Sequence, residues 1–289
     1  MEVILTGTGC PVVDPRRAGP GTLVRYGGLT LQFDAGRGTA QRLVSAGTSV
    51  ESLTALFITH HHCDHLLGVD DILLSRWILQ RLRASPLPVI APEGASARFI
   101  THVLDVWEDD IAVRNEHAGT SERPGAALTT FVATDAPTEV WRSGDVVVKA
   151  ILVEHPPVVP SVAYRVDSPD GSVVISGDTR VCAAVETLAA GADVVVHEVI
   201  LDGLGGVPES NIISTYHSKA VELGAMATRL AIPTLVLTHL IPPPNSAELV
   251  KAFETQIAAG GYSGSLIVGE DLQQIVVGEP QVEVTAPID

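Results

Sequence analysis

Thr59-His60-His61-His62-Cys63-Asp64-His65 gathers imidazoles and a carboxylate directly after the apolar run Leu53-Thr54-Ala55-Leu56-Phe57-Ile58. Clustered imidazoles repel one another once protonated, and burying them unpaired costs stability. A transition metal relieves both costs, because neutral imidazole nitrogen and carboxylate oxygen are ligands that zinc prefers. A solvated His-rich tract is the alternative for the bare run. Further along, other β-rich runs end in the same residue types. Residues 146–153 lead into Glu154-His155, 173–176 into Gly177-Asp178-Thr179, 194–196 into His197-Glu198, and 234–237 into Thr238-His239. Any one of these histidines alone reads as a satisfied edge or core residue. Their recurrence after apolar strands places polar ligands along one rim of a sheet, where strand ends can converge on a metal.

The strands and helices around these residues follow from the same pattern. Residues 1–5, 22–25 and 29–33 read as short strands separated by Gly- and Pro-rich turns. Asp34 then either caps the turn or hydrogen-bonds a metal ligand. Residues 39–46 read as a helix. Val69, Ile72, Leu73, Trp77 and Leu82 recur at helical intervals over 69–83 before Pro86, which assigns Trp77 to the core in preference to a substrate wall. A strand at 87–90, a helix over 95–113 and a polar loop over 114–125 come next. Residues 218–230 form an amphipathic helix with His217 at its N-terminus, where a histidine can either cap or act on a substrate.

The chain has 289 residues and a formal charge of −16, from 18 basic and 34 acidic side chains. No composition shift or repeat divides it, so residues 1–289 are expected to form a single domain. No apolar stretch is long enough for a bilayer. Met1-Glu2-Val3-Ile4-Leu5 lacks the basic start of a signal peptide, and Cys10, Cys63 and Cys182 show no pairing pattern; a cytoplasmic protein without membrane contact is expected. Cys63, between two candidate ligands, reads as a buried small hydrophobe. The acidic balance is the reverse of a nucleic-acid binder's footprint, which makes nucleic acid an unlikely partner and favours a small-molecule substrate.

His60-x-His62-x-Asp64-His65 resembles the signature of the metallo-β-lactamase superfamily, and the resemblance runs over nearly the whole chain. It implies an α/β fold, a four-layer αβ/βα sandwich of two mixed β-sheets flanked by helices. It also implies two zinc ions per chain, with manganese or iron as alternatives. His60, His62 and His155 would hold one ion, Asp64, His65 and His239 the other, and Asp178 would bridge them. Such a pair activates a shared hydroxide for hydrolysis, with Asp64 also orienting it.

Gly7-Thr8-Gly9, Phe33-Asp34-Ala35-Gly36, Ser176-Gly177-Asp178-Thr179-Arg180, His197-Glu198, Tyr216-His217-Ser218 and Leu237-Thr238-His239 are similar to the ribonuclease Z and arylsulfatase-type group. That likeness gives Glu198 and His217 a part in delivering a proton to the leaving group, and it implies a possible homodimer. The short link from Tyr164-Arg165-Val166 through Asp170-Gly171 leaves no room for the long arm with which tRNA-processing members grip tRNA. The expectation is therefore a dinuclear hydrolase of a small ester-like substrate, an aryl sulfate, phosphodiester or lactone. A ribonuclease Z-like tRNA 3′-processing endonuclease and a non-hydrolytic metal-binding protein are the alternatives. Arg16, Arg17 and Arg37 could steady an anionic group at the pocket or lie idle on the surface.

Overall fold

The structure is a computed structural model that describes residues 1–83, 85–203 and 212–278, together with the backbone of Glu283–Thr285. The chain lays down β1 (Glu2–Gly7), β2 (Gly21–Tyr26), β3 (Leu29–Phe33), β4 (Ala55–Phe57), β5 (Leu87–Pro92) and β6 (Ala126–Phe131) in one sheet. It then builds a second sheet from β7 (Thr138–Ser143), β8 (Val146–Leu152), β9 (Val162–Ser168), β10 (Gly171–Ile175), β11 (Val194–Ile200), β12 (Thr234–Ile241) and β13 (Ser265–Val268). Finally β14 (Gln274–Val276) and β15 (Glu283–Thr285) return to the edge of the first sheet beside β1.

Both sheets are mixed. β3 through β6 run parallel, and so do β10 through β13, while the remaining pairs are antiparallel. Parallel strands need crossovers on the outer faces, and the helices supply them. α1 (Thr39–Ser45), α2 (Val69–Leu79), α3 (Ala95–His102) and α4 (Glu108–Ala118) belong to the first half; α5 (Ala183–Ala189), α6 (Ala220–Arg229) and α7 (Ala247–Ala259) to the second. The core between the sheets is made of alternate residues of both, including Val3, Leu5, Phe33, Phe57, Val148, Tyr164, Val173, Val194 and Val236. Separate apolar layers seat α1, α2 and α3 on the first sheet and α5, α6 and α7 on the second. This is the four-layer arrangement that the motif implies.

Several elements depart from the sequence reading. The helix expected over 95–113 breaks into α3, a 3-10 turn at Asp105–Trp107, and α4. Its β-branched residues Thr101, Val103 and Val106 weaken the helix, His102 Nδ1 bonds the Asp105 carboxylate at 2.9 Å, and Trp107 Nε1 donates to Asp70. α4 then continues into the stretch read as loop and stops at Gly119, whose φ of 66° is left-handed. α2 ends at Leu79, short of residue 83. Trp77 is buried, in line with a core role. Cys63 is exposed, against the expectation of a buried thiol. β9 and β10 are joined by Pro169-Asp170 alone, and Asp170 ties the turn to the amino group of Met1 at 2.7 Å. Among the described residues, no helix is long and apolar enough to cross a membrane.

Candidate metal centre

The parallel strands end on one rim, and the chemistry gathers there. Beyond β4 the backbone of Ile58 is held by Ile90 O, and Tyr164 Oη donates to Ile58 O at 2.7 Å. This fixes the point from which Thr59 and His60 leave the sheet. Asp34 follows β3 in a left-handed conformation, φ 54°, which Asp tolerates better than most residues. Gly36 lies against the backbone carbonyl of Asp64, and a Cβ there would collide with it. Gly177, φ 56°, sets Asp178 after β10; a Cβ at that position would meet Thr59 Cβ and Val162 O, each at 2.8 Å.

β12 supplies a detail that strand ends alone do not explain. It does not stop at residue 237 as the sequence suggested, and β11 does not stop at 196; both continue through the site. Glu198 pairs with Thr238 but Val199 pairs with Leu240, so His239 is the extra residue of a bulge and carries φ 44°. A bulge re-aims a side chain within a continuous strand. His239 reaches the rim this way.

The sequence-predicted residues converge. Donor atoms of His60, His62, His155 and Asp178 lie within 4.8 Å of one another, as do those of Asp64, His65 and His239. Asp178 Oδ2 is 3.7 Å from Nε2 of His60, 3.7 Å from Nε2 of His155 and 3.4 Å from Nε2 of His239. Its Oδ1 is 3.2 Å from His65 Nε2. Asp64 Oδ2 faces His65 Nε2 at 3.6 Å and His239 Nε2 at 3.3 Å. His62 presents Nδ1, 3.2 Å from His155 Nε2. Nε2 of His60, Nε2 of His65 and Oδ1 of Asp178 are buried without a hydrogen-bond partner. Buried polar atoms left unpaired are costly. Aimed together, these suit a divalent cation, and the nitrogen-rich donor set fits one.

Asp34 sets which nitrogen faces inward. Its carboxylate accepts from Thr59 N at 2.8 Å, from Thr59 Oγ1 at 2.7 Å and from His65 Nδ1 at 2.7 Å. With the Thr59 hydroxyl proton given to Asp34, His60 Nδ1 must donate to Thr59 Oγ1 at 2.9 Å. In their neutral forms both rings then carry the lone pair on Nε2. His155 Nδ1 likewise donates to Tyr216 O at 3.1 Å. Of the two roles open to Asp34, its carboxylate takes the one that holds a candidate ligand, bonding across to Thr59 and His65 in place of a nearby turn amide. Fixing the ligand tautomer in this way is worth about 10- to 100-fold in metal affinity, so Asp34→Ala should weaken zinc binding by that factor in chelator competition; unchanged affinity would contradict the relay.

Charge follows the same layout. Burial holds His60 well below its ordinary pKa, and burial is also the main reason that His62 and His155 are lowered. For His65 burial is outweighed by Asp178, Asp34 and Asp64, which raise it well above the usual value. Burial likewise opposes ionisation of Asp178, yet the imidazoles of His239, His65 and His60 keep it well below the carboxylate range.

Glu198 and His217 sit beside this cluster. Glu198 Oε1 accepts from His217 Nδ1 at 2.9 Å, Thr179 N at 3.1 Å and Ser218 N at 3.2 Å. Burial disfavours the charged His217 ring, but the adjacent Glu198 carboxylate raises its pKa to about 9. α6 begins only at Ala220, so the expected position of His217 at a helix N-terminus is not realised. A donor atom of His217 also falls within 4.8 Å of donors of Asp178 and His239. His197 does not join the cluster: its Nδ1 donates to Glu198 O at 2.7 Å.

The arginines lie elsewhere. Arg16 pairs with Asp14, and Arg17 donates to Thr8 Oγ1 and Gly269 O. Both line an open cleft of about 850 Å³ with Arg42 and Lys251, which includes no residue of the cluster. Arg37 is exposed and lines a neighbouring cleft of about 490 Å³ that reaches Leu67 and Gly68, just past His65. Tyr216, half-exposed with its ring against His155 and His217, was not singled out from sequence; its place directly before His217 was the available signal.

Comparison with known proteins shows what the chain is similar to. The family model described as Anti-Pycsar protein Apyc1 matches residues 1–218. A protein named ribonuclease Z from Mycolicibacterium paratuberculosis (strain ATCC BAA-968 / K-10) is 38% identical over 287 residues, covering 97% of this chain and 99% of that protein. Among solved structures, the metallo-β-lactamase fold protein YhfI of Bacillus subtilis superposes with a TM-score of 0.72 at 18% identity, over 93% of this chain and 96% of that one. Human tRNase Z, short form (ELAC1), superposes with a TM-score of 0.69 at 22% identity, over 96% and 99%.

These relatives correct the expectation that nucleic acid is an unlikely partner and a small molecule the substrate. A relative aligned end to end carries the name of a ribonuclease, so neither the acidity nor the missing arm separates this chain from ribonucleases. Net charge is a whole-surface quantity, whereas recognition depends on local groups. The names these relatives carry point to ribonuclease Z and do not support the arylsulfatase-like reading. The chain is a metal-dependent hydrolase of the metallo-β-lactamase superfamily, belonging to the family of the Apyc1 model and sharing family-level similarity with proteins named ribonuclease Z.

Proposed function

We propose that the protein is a two-metal phosphodiesterase that removes 3′ extensions from precursor tRNA, the departing atom being the 3′ oxygen of the nucleotide retained. The observation that carries this reading is the buried His217–Glu198 pair beside a cluster of unpaired donor atoms, in a chain aligned end to end with a ribonuclease Z. His60, His62 and His155 would hold one ion, Asp64, His65 and His239 the other, and Asp178 both. Imidazole-rich donors favour zinc; manganese or iron would use the same residues. When bound, such ions would lower the pKa of a water at the site to about 7 and polarise phosphoryl oxygens.

The remaining work falls to side chains. Asp64 lies across from His65 and His239 and orients the attacking water. His217, its Nδ1 held by Glu198, keeps Nε2 toward the cluster and holds the proton that the departing oxygen takes up. Glu198 is itself fixed by two backbone amides, so the ring cannot turn away. Cations near the site would work against a protonated His217, and the Glu198 carboxylate compensates for them.

The test is kcat/KM measured on a panel from precursor tRNA, through a cyclic mononucleotide diester, to bis(4-nitrophenyl) phosphate. Precursor tRNA is expected to exceed the small diesters at low salt and to lose that advantage as salt rises, because phosphate contacts release counterions. A salt-independent preference for the small diesters would overturn the reading.

A further inference from the structure

We infer that Tyr216 is the nucleobase platform of the site, stacking on the base of the nucleotide whose 3′ oxygen departs. This rests on the proposed RNA substrate and names a specificity residue for it. Tyr216 ends the 3-10 turn Ile212–Thr215, with its amide bonded to Ile213 O at 3.3 Å, directly before the proton-holding His217. Its ring centroid lies 4.9 Å from that of His217 at 50° and 5.2 Å from that of His155 at 84°. One part of the ring is thereby locked against the metal centre. The side chain is nevertheless half-exposed, and among the described residues its phenol has no hydrogen-bond partner.

The rest of the aromatic inventory makes this position distinctive. Phe33, Phe57 and Tyr164 pack on one another between the sheets, Trp141 packs on Phe57, and Trp77 is buried. Among the described residues, Tyr216 is the only Phe, Tyr or Trp ring against an imidazole of the site. A half-exposed ring held beside the group that protonates the leaving oxygen is placed to stack on the base of the leaving nucleoside. Base–aromatic stacking tolerates any base, because every base has a π-face. It also suits an acidic protein, since it adds affinity without positive charge.

The carbonyl of Tyr216 accepts from His155 Nδ1, so side-chain substitution leaves that backbone contact available. The side chain can therefore be tested apart from metal assembly. A 3′-extended RNA hairpin is prepared with the nucleotide before the scissile phosphate either intact or abasic. Metal-loaded wild type is expected to cleave the intact hairpin with kcat/KM about 10-fold or more above the abasic one. Tyr216→Leu should bring the two substrates level, chiefly by slowing the intact one, while metal content stays at the wild-type value. Tyr216→Phe should keep the wild-type ratio. Equal slowing of both hairpins by Tyr216→Leu would overturn the inference and make the ring a support for His155 and His217. Loss of the ratio in Tyr216→Phe would also overturn it, by assigning the effect to the hydroxyl. Wild type that cleaves RNA without sensing the base overturns this inference alone; wild type that cleaves neither hairpin overturns the RNA reading with it.

Discussion

Asp178→Ala should lose metal from both halves of the centre and lower kcat on RNA by at least about 10³-fold, since metal-derived charge stabilisation is worth several kcal/mol and each 1.36 kcal/mol is a factor of ten. Among the described residues, no other carboxylate faces as many of the centre's imidazoles. Its oxygens face His60, His65, His155 and His239, and its backbone is pinned by Ser161 Oγ donating to Asp178 O at 2.9 Å. Removing it leaves the gathered imidazoles with Asp64 alone among the assigned ligands to balance bound cations. Circular dichroism separates folding from metal loss, and elemental analysis counts the ions. A folded Asp178→Ala protein that retains full metal and full activity would show that the two halves of the centre are independent.

His217→Ala should separate proton delivery from metal assembly. General-acid assistance is worth about 10²- to 10⁴-fold, and that loss is expected in kcat for RNA, whose 3′ oxygen is a poor leaving group. Nitrophenyl esters should lose far less, because nitrophenolate departs without a proton. Metal content should not change. The proximity of His217 to Asp178 and His239 makes the metal assay decisive: loss of an ion would make His217 a ligand. Equal losses for good and poor leaving groups would make it a substrate-positioning residue. Glu198→Gln keeps the shape but removes the charge that raises the His217 pKa to about 9, so it should reproduce part of the same leaving-group dependence.

Most of this centre was legible in the sequence, for a physical reason. Apolar β-rich runs that end in His or Asp are poor packing solutions, so their recurrence at His60, His155, Asp178 and His239 pointed to a shared metal. What escaped depends on backbone detail. The bulge that turns His239 inward adds one residue to β12 and leaves no mark in composition. The hydrogen bonds from Thr59 and His65 to Asp34 span β3 and β4, so Asp34 could be read only as one of two options. The long helix over 95–113 failed because periodicity does not register a local break between His102 and Trp107. The expectation drawn from charge failed differently: −16 describes the whole chain, while recognition depends on how charge is distributed locally.

Metal-dependent hydrolysis of an RNA phosphodiester by water would be recorded in the ends it leaves. A precursor tRNA is incubated with metal-loaded and with chelated protein, and the products are mapped and their termini identified. Attack by water with the 3′ oxygen departing predicts a 3′-hydroxyl on the tRNA body and a 5′-phosphate on the released trailer, formed only with metal. A 2′,3′-cyclic phosphate, or cleavage that persists in the chelated protein, would contradict it.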